Sequence, residues 1–170
     1  MDSTVDPLDQ YDFVDTEYMD SNDRLFAAPI GQYLIDFSYL EHLLNRLISE
    51  IINERTDAIG YLITAEMSMS HKIDLLQRLV KLEKYHGLKR PRSINPIIGK
   101  LKSANKFRNR LAHAHWSSMR PSGMTRIKTR VDKDNGVFFE NFDLSLNAIN
   151  RSQHELTALL EEMDEIELYE

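Results

Sequence analysis

Apolar residues recur at three- and four-residue spacing along most of this chain, and at every second residue in one stretch after position 116. The first period predicts amphipathic helices, the second a strand. Over residues 28–54, Ile30, Tyr33, Leu34, Phe37, Leu40, Leu44, Leu47, Ile48 and Ile51 form one stripe, with Glu41 within it and His42 flanking the core. A cap at Thr56 or Asp57 predicts a second helix to about Tyr85. Its buried face is Ile59, Leu62, Ile63, Met67, Ile73, Leu76, Leu79, Val80 and Leu82, with Met67 and Met69 as core filler and Lys72, Arg78, Lys81 and Lys84 outside; Gly87 ends it. Pro91 interrupts the basic linker Lys89–Arg92. Ser93 or Asn95 then caps a third helix with Pro96 in its first turn. Ile97, Ile98, Leu101, Ala104, Phe107, Leu111 and Ala112 face inward along it.

Beyond Trp116, residues 117–123 read as a loop. Thr125, Ile127, Thr129 and Val131 then alternate with Arg126, Lys128 and Arg130. Turn residues at 132–136 and the return Val137-Phe138-Phe139 with Phe142 predict a β-hairpin with one basic face. Asp143 or Ser145 caps a final helix whose stripe is Ile149, Ser152, Leu156, Leu159, Leu160, Met163 and Ile166. Its acidic end opposes the helix dipole and is expected to fray. The pattern predicts a mainly all-α fold: a four-to-five-helix bundle with a β-hairpin inserted before the last helix. Residues 1–25 are expected to be an acidic, disordered tail, and residues 26–170 one helical domain.

Charge sharpens that division. Residues 1–25 hold eight acids against Arg24, and residues 161–170 hold six acids with no Lys or Arg. The whole chain has a formal net charge of -6, yet residues 72–133 carry 17 Lys or Arg against Asp74, Glu83 and Asp132. The middle of the chain can therefore attract a polyanion, or it is simply a lysine-rich helix surface. The acidic tail is either solubilising or an intramolecular competitor for the basic region. The chain has no cysteine, which excludes disulfides, thiolate chemistry and sulfur-ligated metals. No apolar run reaches the length of a membrane span, and the start of the chain does not resemble a targeting peptide, so a cytoplasmic protein without membrane partners is expected.

Candidate chemistry concentrates in Lys106-Phe107-Arg108-Asn109-Arg110-Leu111-Ala112-His113-Ala114-His115-Trp116. Asn109 and His113, four apart, share one helical face, and the long Arg108 side chain can curl toward it. RNA carries its own nucleophile, the 2′-hydroxyl. Its cleavage needs a base, an acid for the leaving 5′-oxygen, and positive charge on the phosphorane-like transition state. Histidine suits the first two roles and arginine, a planar multi-donor cation, the third. No cofactor or metal is required. One copy of the chain supplies one such pair, whereas a two-fold homodimer doubles it. Lys102, Lys106, Arg110, Arg126, Lys128 and Arg130 are candidate contacts to the RNA backbone. A His113/His115 metal pair is disfavoured, because two residues apart on a helix the rings do not converge and no third ligand is near in sequence. Trp116 is core or hinge packing, or a surface for base stacking.

The segment Arg108-Asn109-Arg110-Leu111-Ala112-His113 resembles the Arg-polar-(three to five residues)-His motif of the HEPN superfamily. The resemblance extends over the bundle from about Gly31 to Trp116, through Leu40-Glu41-His42 and Met67-Ser68-Met69-Ser70-His71-Lys72-Ile73-Asp74. It is similar to a bacterial subgroup with a hairpin before the final helix. That likeness implies a HEPN-like helical bundle and a metal-independent endoribonuclease acting on single-stranded RNA. The family's settings are toxin–antitoxin, phage-defence and CRISPR-associated systems, with a composite site at a homodimer interface and a cognate antitoxin protein as a candidate partner. It implies Arg108 as the phosphate-binding arginine, Asn109 as its polar neighbour and His113 as the catalytic histidine. His115 also falls within the permitted spacing and is held in reserve. The alternative implied by the same family is a catalytically inactive RNA-binding or protein-interaction module.

Overall fold

Helices dominate the structure, a computed structural model that describes residues 3–6, 19–52, 58–86, 94–113, 115–120, 123–132 and 136–166. In chain order the described elements are β1 (Ser3–Asp6), α1 (Met19–Ile52), α2 (Ala58–Thr64), α3 (Met69–His86), α4 (Ile94–Ala112), β2 (His115–Arg120), β3 (Gly123–Asp132), β4 (Gly136–Leu144) and α5 (Leu146–Asp164). The fold is mainly α, and the expected hairpin, β3 with β4, stands before the last helix. Two further strands flank it, giving one antiparallel sheet of order β1-β4-β3-β2. Gly136, at φ +73°, opens β4 in a conformation that costs a Cβ-bearing residue dearly.

The chain divides into two compact units. One comprises Ile35–Arg108 with His154–Glu170, the other Met1–Leu34 with Asn109–Gln153.

The first is a helical bundle whose buried stripes are largely those the periodicity predicts. Phe37, Leu40, Leu44, Leu47 and Ile48 come from α1, Ile73, Leu76 and Val80 from α3, Ile97, Ile98 and Leu101 from α4, and Leu156, Leu159 and Met163 from α5. Each helix bears one such apolar stripe and buries it against the others. Polar ties run between the same helices. Lys72 Nζ donates to Glu41 Oε1 at 2.6 Å, Asn105 Nδ2 to Ser70 Oγ at 3.0 Å, and Lys102 Nζ to Gln77 Oε1 at 2.9 Å.

Several expectations fail in this unit, each for a local reason. The single helix predicted from 56 to 85 is two. The Thr64 hydroxyl donates to Gly60 O (3.0 Å) and Met67 N to Thr64 O (3.1 Å), which tightens the last turn of α2. Ser68 then restarts the helix, its Oγ accepting from the His71 amide at 3.4 Å. Ile59, Leu62 and Ile63 were assigned to the core but are exposed, Leu62 by 79%. What α2 buries is Gly60 and Thr64, because a Cβ at Gly60 would fall on the backbone and side chain of Ser49. This contact between α1 and α2 is made by small residues, so the large ones are turned outward. Lys72, placed on the outer face, is buried against Glu41. The acidic end of α5 is met by cations: Arg46 reaches Asp164 at 3.3 Å, and Lys100 pairs with Glu162. Both pairs are solvent-accessible, and the acidic stretch beyond Ile166 lies outside the described residues.

In the second unit, the N-terminal segment assigned to a tail through residue 25 enters the structure early. Ser3–Asp6 pairs with β4, and α1 begins at Met19. Asn22 is buried and its Nδ2 donates to Gly123 O at 3.3 Å, while Phe26 is wholly buried. Residues 117–120, read as a loop, belong to β2, whose register with β3 shifts between Ser117 and Arg120. Of the two candidate caps for α5, Ser145 serves, its Oγ accepting from the Ala148 amide at 3.2 Å. Asp143 instead accepts the Thr125 hydroxyl at 3.0 Å. Buried Met124, Leu144 and Ile149 anchor this end of the sheet.

Candidate functional site

The motif residues occupy the last turn and a half of α4 and the residue after it. Arg108 is half-buried, with its guanidinium carbon 5.6 Å from the centre of the Phe37 ring. Phe37 itself is buried in the α1 stripe, so Arg108 is held against a fixed aromatic face. One turn along α1 from Phe37 is Glu41, bound to Lys72; one turn back along α4 from Arg108 is Asn105, bound to Ser70. The arginine thus rises from a packed polar seam shared by α1, α3 and α4.

Asn109 and Arg110 are half-buried, and both take part in polar interactions. His113 is exposed. Its amide donates to Asn109 O at 3.2 Å, which extends the helical ladder one residue past Ala112. Asn109 and His113 therefore stand one turn apart on one face, as the spacing predicts. The chain is pinned again just beyond. The Trp116 indole N–H donates to Leu111 O at 3.1 Å, satisfying a carbonyl that the end of a helix leaves unpaired. His113 lies between these two fixed points, in a short link from helix to strand.

His115, the reserve histidine, is the first residue of β2 and pairs in register with Ile127. The two histidines thus belong to different elements. Lys102 and Lys106 are exposed on α4, Lys102 bonding Gln77. Arg126, Lys128 and Arg130 hold alternate positions on β3, opposite Phe142, Glu140 and Phe138. The six candidate RNA contacts therefore fall into an α4 set and a β3 set. His42 is exposed and stacked on Tyr39, with 6.2 Å between ring centroids. Among the described residues no group of three or more His, Asp or Glu is arranged to hold a metal, and no helix is long and apolar enough to cross a membrane.

Two contributors escaped the sequence. Phe37 counted only as one member of a stripe, and nothing in a stripe marks which ring will carry a cation. Lys72 counted as surface because lysine is rarely fully buried. Its place three residues after Met69 and four before Leu76, with Glu41 as an acid inside an apolar stripe, was the available signal.

Neither family models, curated proteins nor solved structures give any match to this chain.

Proposed function

We propose that this protein is a metal-independent endoribonuclease. It cleaves single-stranded RNA by 2′-hydroxyl attack, at a site composed of Arg108, Asn109 and His113 from two copies of the chain. The observation that carries this reading is the contrast within the motif. The arginine is oriented in advance over Phe37, while the imidazole two residues before β2 is open to solvent. A preset cation lowers the cost of binding the scissile phosphate and its developing charge. An accessible imidazole can exchange protons with the 2′-hydroxyl or the 5′-oxygen. One copy offers one His113, and the reaction needs both a base and an acid. A closed two-fold homodimer is the simplest way to supply the second. The basic residues of α4 and β3 favour an RNA partner. The resemblance to the HEPN superfamily adds a cytoplasmic toxin or phage-defence role, held in check by a cognate antitoxin protein.

The Phe37 contact also favours a second reading, in which Arg108 serves packing and the chain is a silent RNA-binding or protein-interaction module. Expression of the wild type, Arg108→Ala and His113→Ala forms separates the two. The nuclease reading expects wild-type cells alone to stop growing, and the purified wild type alone to cut single-stranded RNA in EDTA. Equal growth of all three together with no cleavage supports the silent module.

A further inference from the structure

Directly opposed residues of an antiparallel sheet share a face. The register therefore sorts the sheet into rows. The first row crosses all four strands as Trp116, Arg126, Phe142 and Ser3. The second runs Lys128, Glu140, Val5, and the third pairs Arg130 with Phe138; beyond the first row, at the other end of the same face, Met124 stands opposite Leu144, and both are buried. Rows on the opposite face are His115, Ile127, Asn141, Thr4, then Thr129, Phe139, Asp6, then Ser117, Thr125, Asp143. The paired positions of that second face carry one basic residue, Arg120 opposite Gly123 beyond the register shift in β2. All three basic residues of β3 thus share one face with three aromatic positions. Twice an arginine stands directly opposite a phenylalanine, four residues apart, or about 13 Å along the strand.

We propose that this face binds single-stranded RNA, with bases stacked at positions 116, 142 and 138 and phosphates met by Arg126 and Arg130. Aromatic rings stack on any base, and interleaved cations track the backbone, which is the combination single-strand binders use. Charge complementarity selects a polyanion, and three aromatic positions select one with exposed bases. Duplex RNA hides those bases. Glu140, opposite Lys128, balances the middle row, so the two arginine–phenylalanine rows are the contact rows. Trp116, in the first row by register, is tied through its indole N–H to Leu111 O at the end of α4. The proposal borrows its choice of polymer from the RNA reading above but needs no cleavage.

Trp116 is the chain's single tryptophan, so its emission reports on the first row directly. The test titrates short oligouridylate into the full-length His113→Ala protein. Saturable quenching of Trp116 is expected, and a self-complementary duplex is expected to give none. Phe142→Leu and Phe138→Leu should each weaken binding about tenfold, and Phe142→Tyr should restore it, because the ring and not its bulk is required. Arg126→Gln with Arg130→Gln should lower the slope of log affinity against log salt by about 1.4. Glu140→Gln should tighten binding. Unchanged emission, equal binding by the leucine variants, or equal quenching by the duplex would overturn the proposal. So would displacement of the RNA by polyglutamate with the same dependence on Phe142, since the face would then read acidic protein. Quenching without cleavage by the wild type sinks the nuclease and leaves this face standing; cleavage without quenching does the reverse.

Discussion

The helical unit and the sheet unit are built from different resources. The helical unit buries long apolar stripes and closes them with polar ties in which buried Lys72 meets Glu41 and buried Asn105 meets Ser70. The sheet unit joins a strand ladder to buried side chains that, among the described residues, include Phe26, Tyr33, Leu111, Met124, Leu144 and Ile149. Its hairpin ends in exposed Val131, and the three basic residues of β3 share one face. The residues proposed to meet RNA lie on β3 and at the end of α4, whereas Arg108 sits in the helical unit against buried Phe37.

That contrast can be broken from either side. The largest effect is expected at His113. His113→Ala should reduce cleavage about a hundredfold or more, in keeping with the loss of a general acid or base. Its thermal unfolding should stay where the wild type's is, as measured by circular dichroism. Next comes the buried ion pair. Glu41→Gln strands an ammonium whose side chain is 5% exposed, and should cost about 3 kcal/mol in urea unfolding. Lys72→Met strands a carboxylate that is 32% exposed and still reaches water, and should cost about half as much. The reverse order would mean that the ammonium finds other partners. Gly60→Ala forces a methyl group onto Ser49 and should destabilise by about 2 kcal/mol. None of these three changes should alter RNA affinity. Phe37→Leu is expected to cross the divide: cleavage falls about tenfold as Arg108 loses its aromatic seat, with RNA binding by fluorescence anisotropy unchanged. Smallest is Gly99→Ala, at an exposed α4 position with open space around it, which should stabilise by roughly 0.5–1 kcal/mol.

Periodicity made most of the helices legible, because one buried stripe per helix is what a bundle requires. It located α5 through Ile149, Leu156, Leu159 and Met163, and the β3–β4 hairpin through its alternation and turn residues. It joined α2 to α3, since Ile59, Leu62 and Ile63 continue the spacing of Ile73 and Leu76. Nothing in that spacing announces that Gly60 and Ser49 touch and turn the large residues outward. It passed over β2, where Ser117-Ser118-Met119-Arg120 is too short and too polar to alternate. It also missed that Ser3–Asp6, within an acidic run, completes a sheet edge. Of the candidate site, the helical placement of Arg108, Asn109 and His113 was readable from their spacing. The seat of Arg108 was not, because a cation over a ring depends on how two helices cross. Nor was the pinning of the His113 link by Trp116, which depends on where β2 starts.

The nuclease account is tested most directly by the termini of the RNA fragments that the full-length protein produces in EDTA. It predicts 2′,3′-cyclic phosphate and 5′-hydroxyl ends, no cut at a position carrying a 2′-deoxy sugar, and neither product from His113→Ala. Fragments with 3′-hydroxyl and 5′-phosphate ends, or the same fragments from His113→Ala, would contradict it.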